Sequence, residues 1–112
     1  MDNSLRFAYI TTSNKDEARS IGQKLIQSEY AACVNIIDGM ESMYKWKGSI
    51  VVDTECILIA KTQSSKIDLL TQEVIEMHSS ECPCVLSFSP HDNEGNKDYL
   101  LWLLKTLNIP SS

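Results

Sequence analysis

The stretch Tyr30–Gly48, YAACVNIIDGMESMYKWKG, decides the fold. Its apolar residues are β-branched and spaced close to every second position, which suits a strand and not a helix. Asp38-Gly39 interrupts the run as a bulge or bend. Lys47-Gly48 then offers a tight turn, with the glycine free to take positive φ. Beyond it, GSIVVD and TECILIAKT continue the pattern to Thr62. The reading is one long hairpin with Tyr44 and Trp46 on the same side of its pleat near the tip. CILIA (56–60) is apolar on both faces and so belongs in the middle of a sheet.

Working outward, LRFAYITT (5–12) alternates aromatic and β-branched residues and reads as a strand. SNKDE (13–17) opens a helix: Asn14 suits the cap, and Glu17 stands at capping-box spacing. Ala18, Ile21, Leu25 and Ile26 then recur at helical spacing to about Glu29. SSKIDLLTQEVIEMH (64–78) is a second helix, capped by Ser64 or Ser65, with Ile67, Leu70, Val74 and Met77 along one face. CPCVLSFSP (82–90) reads as a strand whose Pro83 favours an edge or a first-residue position. A polar loop, HDNEGNK (91–97), leads to a short helix, DYLLWLLKTLN (98–108), with Asp98 near its start. The closing IPSS is expected to fray.

The order β-α-β-β-α-β plus a C-terminal helix predicts an α+β, ferredoxin-like split βαβ domain. The expectation is one domain over residues 1–112, with its core at about 5–107. Two helices cover one sheet face, and nothing in the chain is assigned to the other. An uncovered apolar face calls for a partner, most simply further copies of the chain.

The net charge is −5, the wrong sign for neutralising phosphates, so nucleic acid and anionic membranes are not expected partners. No run approaches the ~18 apolar residues of a membrane span. The start, MDNSLRF, lacks the features of a secretory signal, so the expected location is cytoplasmic. The four cysteines, Cys33, Cys56, Cys82 and Cys84, include no C-x-x-C pair, and two of them lie in apolar strands. They read as reduced thiols.

AACVNII, the Asp38-Gly39 bend and MESMYKWKGSI together resemble the signature of the CutA family of divalent-cation tolerance proteins. The same pattern is met by Lys61-Thr62, His78, Glu81, Pro83 and GNKDYLLWL (95–103), covering about residues 5–104. The resemblance implies a homotrimer of ferredoxin-like subunits whose sheets pack together and whose hairpin reaches a neighbour. Tyr44, Trp46, Tyr99 and Trp102 are then expected at the trimer interface. It also implies a role in tolerance of divalent metals, copper above all.

His78 matches the family's histidine and, with Glu81, can ligate Cu(II) or Zn(II). It can equally cap the helix end. Thr11 and Met77 stand where the family's proposed copper ligands have a thiol and a first histidine, so His78 alone carries over. Read as strand residues, Cys82 and Cys84 share a face and either hold one soft ion or sit half-buried without a ligand. The expected metal set is therefore His78, Glu81, Cys82 and Cys84, with no organic cofactor. No phosphate-binding loop, nucleophile elbow or H-E-x-x-H pair occurs, so an enzyme is not expected. Two rivals stand beside this reading. One is a trimeric sensor or adaptor with a small ligand in inter-subunit clefts (Lys61, Glu81, Tyr99) and a protein partner. The other is a hydrolase pairing Cys33 with His78.

Overall fold

The computed structural model describes residues 4–91 and 94–108. The expected fraying of IPSS lies outside the described residues, as do two positions of the polar loop. Four strands, β1 (Leu5–Thr12), β2 (Cys33–Trp46), β3 (Ser49–Gln63) and β4 (Val85–Phe88), form one sheet in the order β2-β3-β1-β4. Each neighbouring pair is antiparallel. The helices are α1 (Lys15–Gln27), α2 (Ile67–Met77) and α3 (Lys97–Asn108). β3 lies between β1 and β2, and β1 between β3 and β4, which is the expected split βαβ arrangement.

Period-two alternation sorts the sheet into two faces. Ala8 and Ile10 of β1 join Cys56, Leu58 and Ala60 of β3 in the main core under α1 and α2. α1 presents Ala18, Ile21, Gly22 and Leu25 to the sheet. Gly22, not Ile26, makes the close approach: a Cβ there would stand 3.1 Å from Val34 Cγ2 and 3.3 Å from Leu58 Cδ1. Ile26 is left on the rim, 40% exposed. Asn14 Oδ1 caps the helix at Glu17 N, while Glu17 reaches back to the N–H of Ser13.

Three expectations are corrected. First, α2 is entered through a 3-10 turn, Ser64–Lys66, and Lys66 occupies its cap position without a side-chain cap bond. Only Leu70 and Val74 of the predicted face are fully buried, and Met77 is exposed. Second, β4 begins at Val85, so Cys82 and Cys84 precede the strand. Pro83 has no N–H to add to a ladder, and pairing with β1 runs only from Phe88 to Val85. Third, the open sheet face is partly covered. α3 lies over one end of it, and Leu103 and Leu107 join Leu5, with Phe7, Ala32 and Cys33 packed alongside.

The bend at Asp38-Gly39 is a bulge: register passes from Ile37↔Ile57 to Met40↔Glu55, with Gly39 at φ 77°. One extra residue on β2 switches its parity. Cys33, Asn35 and Ile37 face the open side before the bulge, and Met40, Ser42, Tyr44 and Trp46 face it afterwards. The Tyr9 hydroxyl at 3.4 Å from Met40 Sδ agrees with that assignment. Lys47 and Gly48 close the hairpin, both at positive φ, as a two-residue loop of that twist requires.

Candidate functional site

His78 ends α2, and its backbone N–H donates to the Val74 carbonyl. Its ring points into a polar corner where the end of β1 meets the start of α1. Nε2 lies 2.7 Å from the Thr11 carbonyl, and Nδ1 accepts from the Ser80 N–H at 2.9 Å. A carbonyl only accepts and an amide N–H only donates, so this pattern assigns the ring proton to Nε2. Glu17 completes the corner, with Oε1 at 3.8 Å from Nε2 and Oε2 accepting from the Ser79 N–H.

Burial pushes the Glu17 carboxyl up, yet hydrogen bonds from Ser13 and Ser79, with the nearby His78, outweigh it and hold the group below its usual 4.5. Such a group stabilises the fold in full above its unfolded value, and that contribution is lost as pH falls through the folded value. Glu17→Gln is therefore expected to lose less stability than wild type between about pH 6 and about pH 3, read from urea melts. Equal losses would show that this carboxylate is not coupled to folding.

The residues expected to hold a metal do not converge. Both nitrogens of His78 are already engaged, so ligation there would require the Ser79–Ser80 turn to swing away. Glu81 and Cys82 are exposed in the loop that follows, and Cys84 is half-buried. Among the described residues, no group of three or more His, Cys, Asp or Glu side chains is placed to hold a metal ion. The donor set does not fit a preformed divalent site. Cys33 and His78 are also apart: Cys33 is level with Lys61 and Phe7, whereas His78 touches Thr11. Four residues along β1 is roughly 13 Å, too far for a thiol–imidazole pair.

The aromatic residues are distributed over one face. Tyr44 and Trp46 are 44% and 61% exposed on the open side of the hairpin. The Tyr44 hydroxyl donates to Asp53, and that bond raises its pKa. Tyr99 and Trp102 stack at 5.9 Å on α3, and both keep exposed surface. Lys61 Nζ donates to the Tyr99 hydroxyl at 2.9 Å and lies 5.9 Å from the Phe7 ring. Lys61 and Tyr99 thus meet, while Glu81 belongs to the loop at the other end of β1.

Sequence reasoning missed the residues between these aromatics. Phe7, Tyr9, Ile59 and Phe88 surround an apolar hollow of about 210 Å³ in the open face, and Leu86 and Phe88 are more than half exposed. Their signal was the alternation within LRFAYITT and VLSF, which becomes a surface only once the strands are paired.

The pattern of the family described as CutA1 divalent ion tolerance protein matches residues 6–106. The chain is 41% identical over 100 residues to the CutA homolog of Xenopus laevis, covering 89% of this chain and 65% of that protein. It is 36% identical over 94 residues to the divalent-cation tolerance protein CutA of Thermus thermophilus, covering 84% and 89%. The crystal structure of CutA1 from Oryza sativa superposes with a TM-score of 0.86 at 35% identity, over 94% of each chain. The chain spans only 51% to 65% of the length of three of its eukaryotic relatives.

Proposed function

The chain belongs to the CutA1 divalent ion tolerance protein family, and from that premise we propose that it works as a homotrimer in the tolerance of divalent metal ions, copper among them. It does so in the cytoplasm and without a catalytic step. The observation that carries the assembly is the open sheet face, apolar from Phe88 across Tyr9 and Ile59 to Ile37. Past the bulge it runs on to Tyr44 and Trp46 of the hairpin.

Two global quantities support the same reading. The radius of gyration is 15.1 Å, against about 13 Å for a compact chain of this length. The accessible surface is 7305 Å², about 1,100 Å² above the expectation for a monomer of this mass. The hairpin contributes to both, because the outer halves of β2 and β3 are exposed on both flanks. Threefold association, burying the open faces together, would cover much of that excess. The free state of all four cysteines suits a reducing compartment.

Metal ions enter this reading as weakly held. The four proposed ligands His78, Glu81, Cys82 and Cys84 form no ready-made cage, so binding would involve the exposed loop thiols and carboxylates singly. Light scattering at micromolar concentration is expected to give three times the chain mass, and Trp46→Ala is expected to weaken assembly without loss of helix content. Calorimetric titration of the reduced protein with Cu(II) and Zn(II) is expected to show weak binding that survives His78→Ala. A monomeric wild type would sink the assembly. Tight binding of one ion per chain, abolished in His78→Ala, would sink the account of the metal.

A further inference from the structure

We propose that Asp38-Gly39, at the bulge of β2, is a modification site where the backbone rearranges spontaneously to isoaspartate. The Gly39 N–H donates to Asp38 Oδ1 at 2.9 Å. The amide nitrogen and the carboxyl carbon are therefore already neighbours, as closure of a succinimide ring requires. Neither residue has a partner in the β2–β3 register, which passes from Ile37↔Ile57 directly to Met40↔Glu55. Both are exposed. Gly39 is at φ 77°, and no atom stands within 4 Å of where its Cβ would be, so that side of the attacking nitrogen is open.

In the first step Gly39 N attacks Cγ of the protonated Asp38 carboxyl. The N–Cγ bond forms, and the amide proton and the carboxyl hydroxyl leave together as water. A second water then opens the ring. Attack at Cγ restores aspartate. Attack at the main-chain carbonyl carbon breaks its bond to Gly39 N and leaves the chain running through Cβ. Water lost and water regained balance, and no oxidant or reductant is needed. No other Asp or Asn in the chain precedes glycine. Asp16, Asp53, Asp68 and Asp98 lie within helices or β3, and the side chain of the next residue shields each attacking nitrogen. Asp38 follows Ile37 and so falls on the helix side of the sheet; burial pushes the Cys56 thiol up, and the Asp38 charge adds to that effect. Association through the open face leaves this position in water, so the reaction is independent of the assembly proposed above. The product adds one backbone atom between Ile37 and Met40, at the point where the parity of the outer hairpin is set.

The test is incubation of the folded protein at physiological temperature and neutral pH. Isoaspartate is read as a mass-neutral change of retention in the tryptic peptide 25–45. It is read independently by methyl transfer from labelled S-adenosylmethionine, catalysed by an isoaspartyl methyltransferase. Isoaspartate at position 38 is expected to exceed that at any other aspartate about tenfold or more. Asp38→Glu, whose carboxyl carbon is one methylene farther along, should abolish the signal. Asp38→Asn should raise it, with ammonia as the leaving group. A free peptide of residues 35–42 should react no faster than the folded chain, because the fold already holds carboxyl and amide together. The proposal is overturned if no isoaspartate accumulates, if it spreads evenly over the aspartates, or if the signal survives Asp38→Glu. Reaction of the free peptide without reaction of the folded chain would overturn it too.

Discussion

Ile59→Lys is expected to convert the assembled protein into folded monomers. Ile59 sits near the middle of the open face, level with Asn35 on β2 and Tyr9 on β1, beside the hollow lined by Phe7 and Phe88. If three such faces close on one another, each would bury an ammonium in place of an apolar side chain. An unpaired charge in such a place costs about 3–5 kcal/mol, or roughly a hundredfold to several thousandfold in association. In the separated subunit the same lysine lies along the sheet and keeps its head in water. Helix and strand content should therefore stay at the wild-type level while sedimentation velocity reports one-third of the mass. An Ile59→Lys protein that stays assembled would show that the open face is not the interface.

The neighbouring residue is expected to do the reverse. Leu58 points to the other side of β3 and is fully buried against α1, with Cδ1 close under Gly22. Leu58→Ala removes apolar contacts and leaves a cavity that the close-packed helix cannot fill without moving its backbone. The expected loss is about 2–5 kcal/mol. Folding and association are linked in an oligomer, so the loss is read from denaturant melts of both proteins at one fixed concentration. Assembly of the folded variant should be unchanged, since no residue of the open face is altered. A loss below about 1 kcal/mol would mean that the α1–β3 contact relaxes far more easily than a packed core does. Two adjacent residues with opposite outcomes make a direct test of the two-faced sheet.

Much of this was legible in the chain. The boundaries of β1, the Asn14 cap, the Asp38-Gly39 bulge and the Lys47-Gly48 turn all follow from local spacing, and the structure agrees with each. The errors came where a run of residues admits two readings. CPCVLSFSP is apolar enough for a strand throughout, but Pro83 ends the ladder at Val85, so Cys82 and Cys84 lose the shared strand face that made them a ligand pair. His78 was legible as a helix end. Its engagement by Thr11, 67 positions away, was not.

By itself the sequence determined the elements, their order and the surplus of apolar strand surface, because periodicity, caps and turn chemistry act over a few neighbouring residues; the family came from the resemblance of its ordered motifs. The tertiary structure alone decided which side of the sheet each residue serves. It set the parity switch that turns Tyr44 and Trp46 onto the open face, the laying of α3 over the Leu5 end, and the hydrogen bonds that occupy both nitrogens of His78. These depend on register between strands and on contacts across many residues of chain, where a shift of one position exchanges the two faces of a strand.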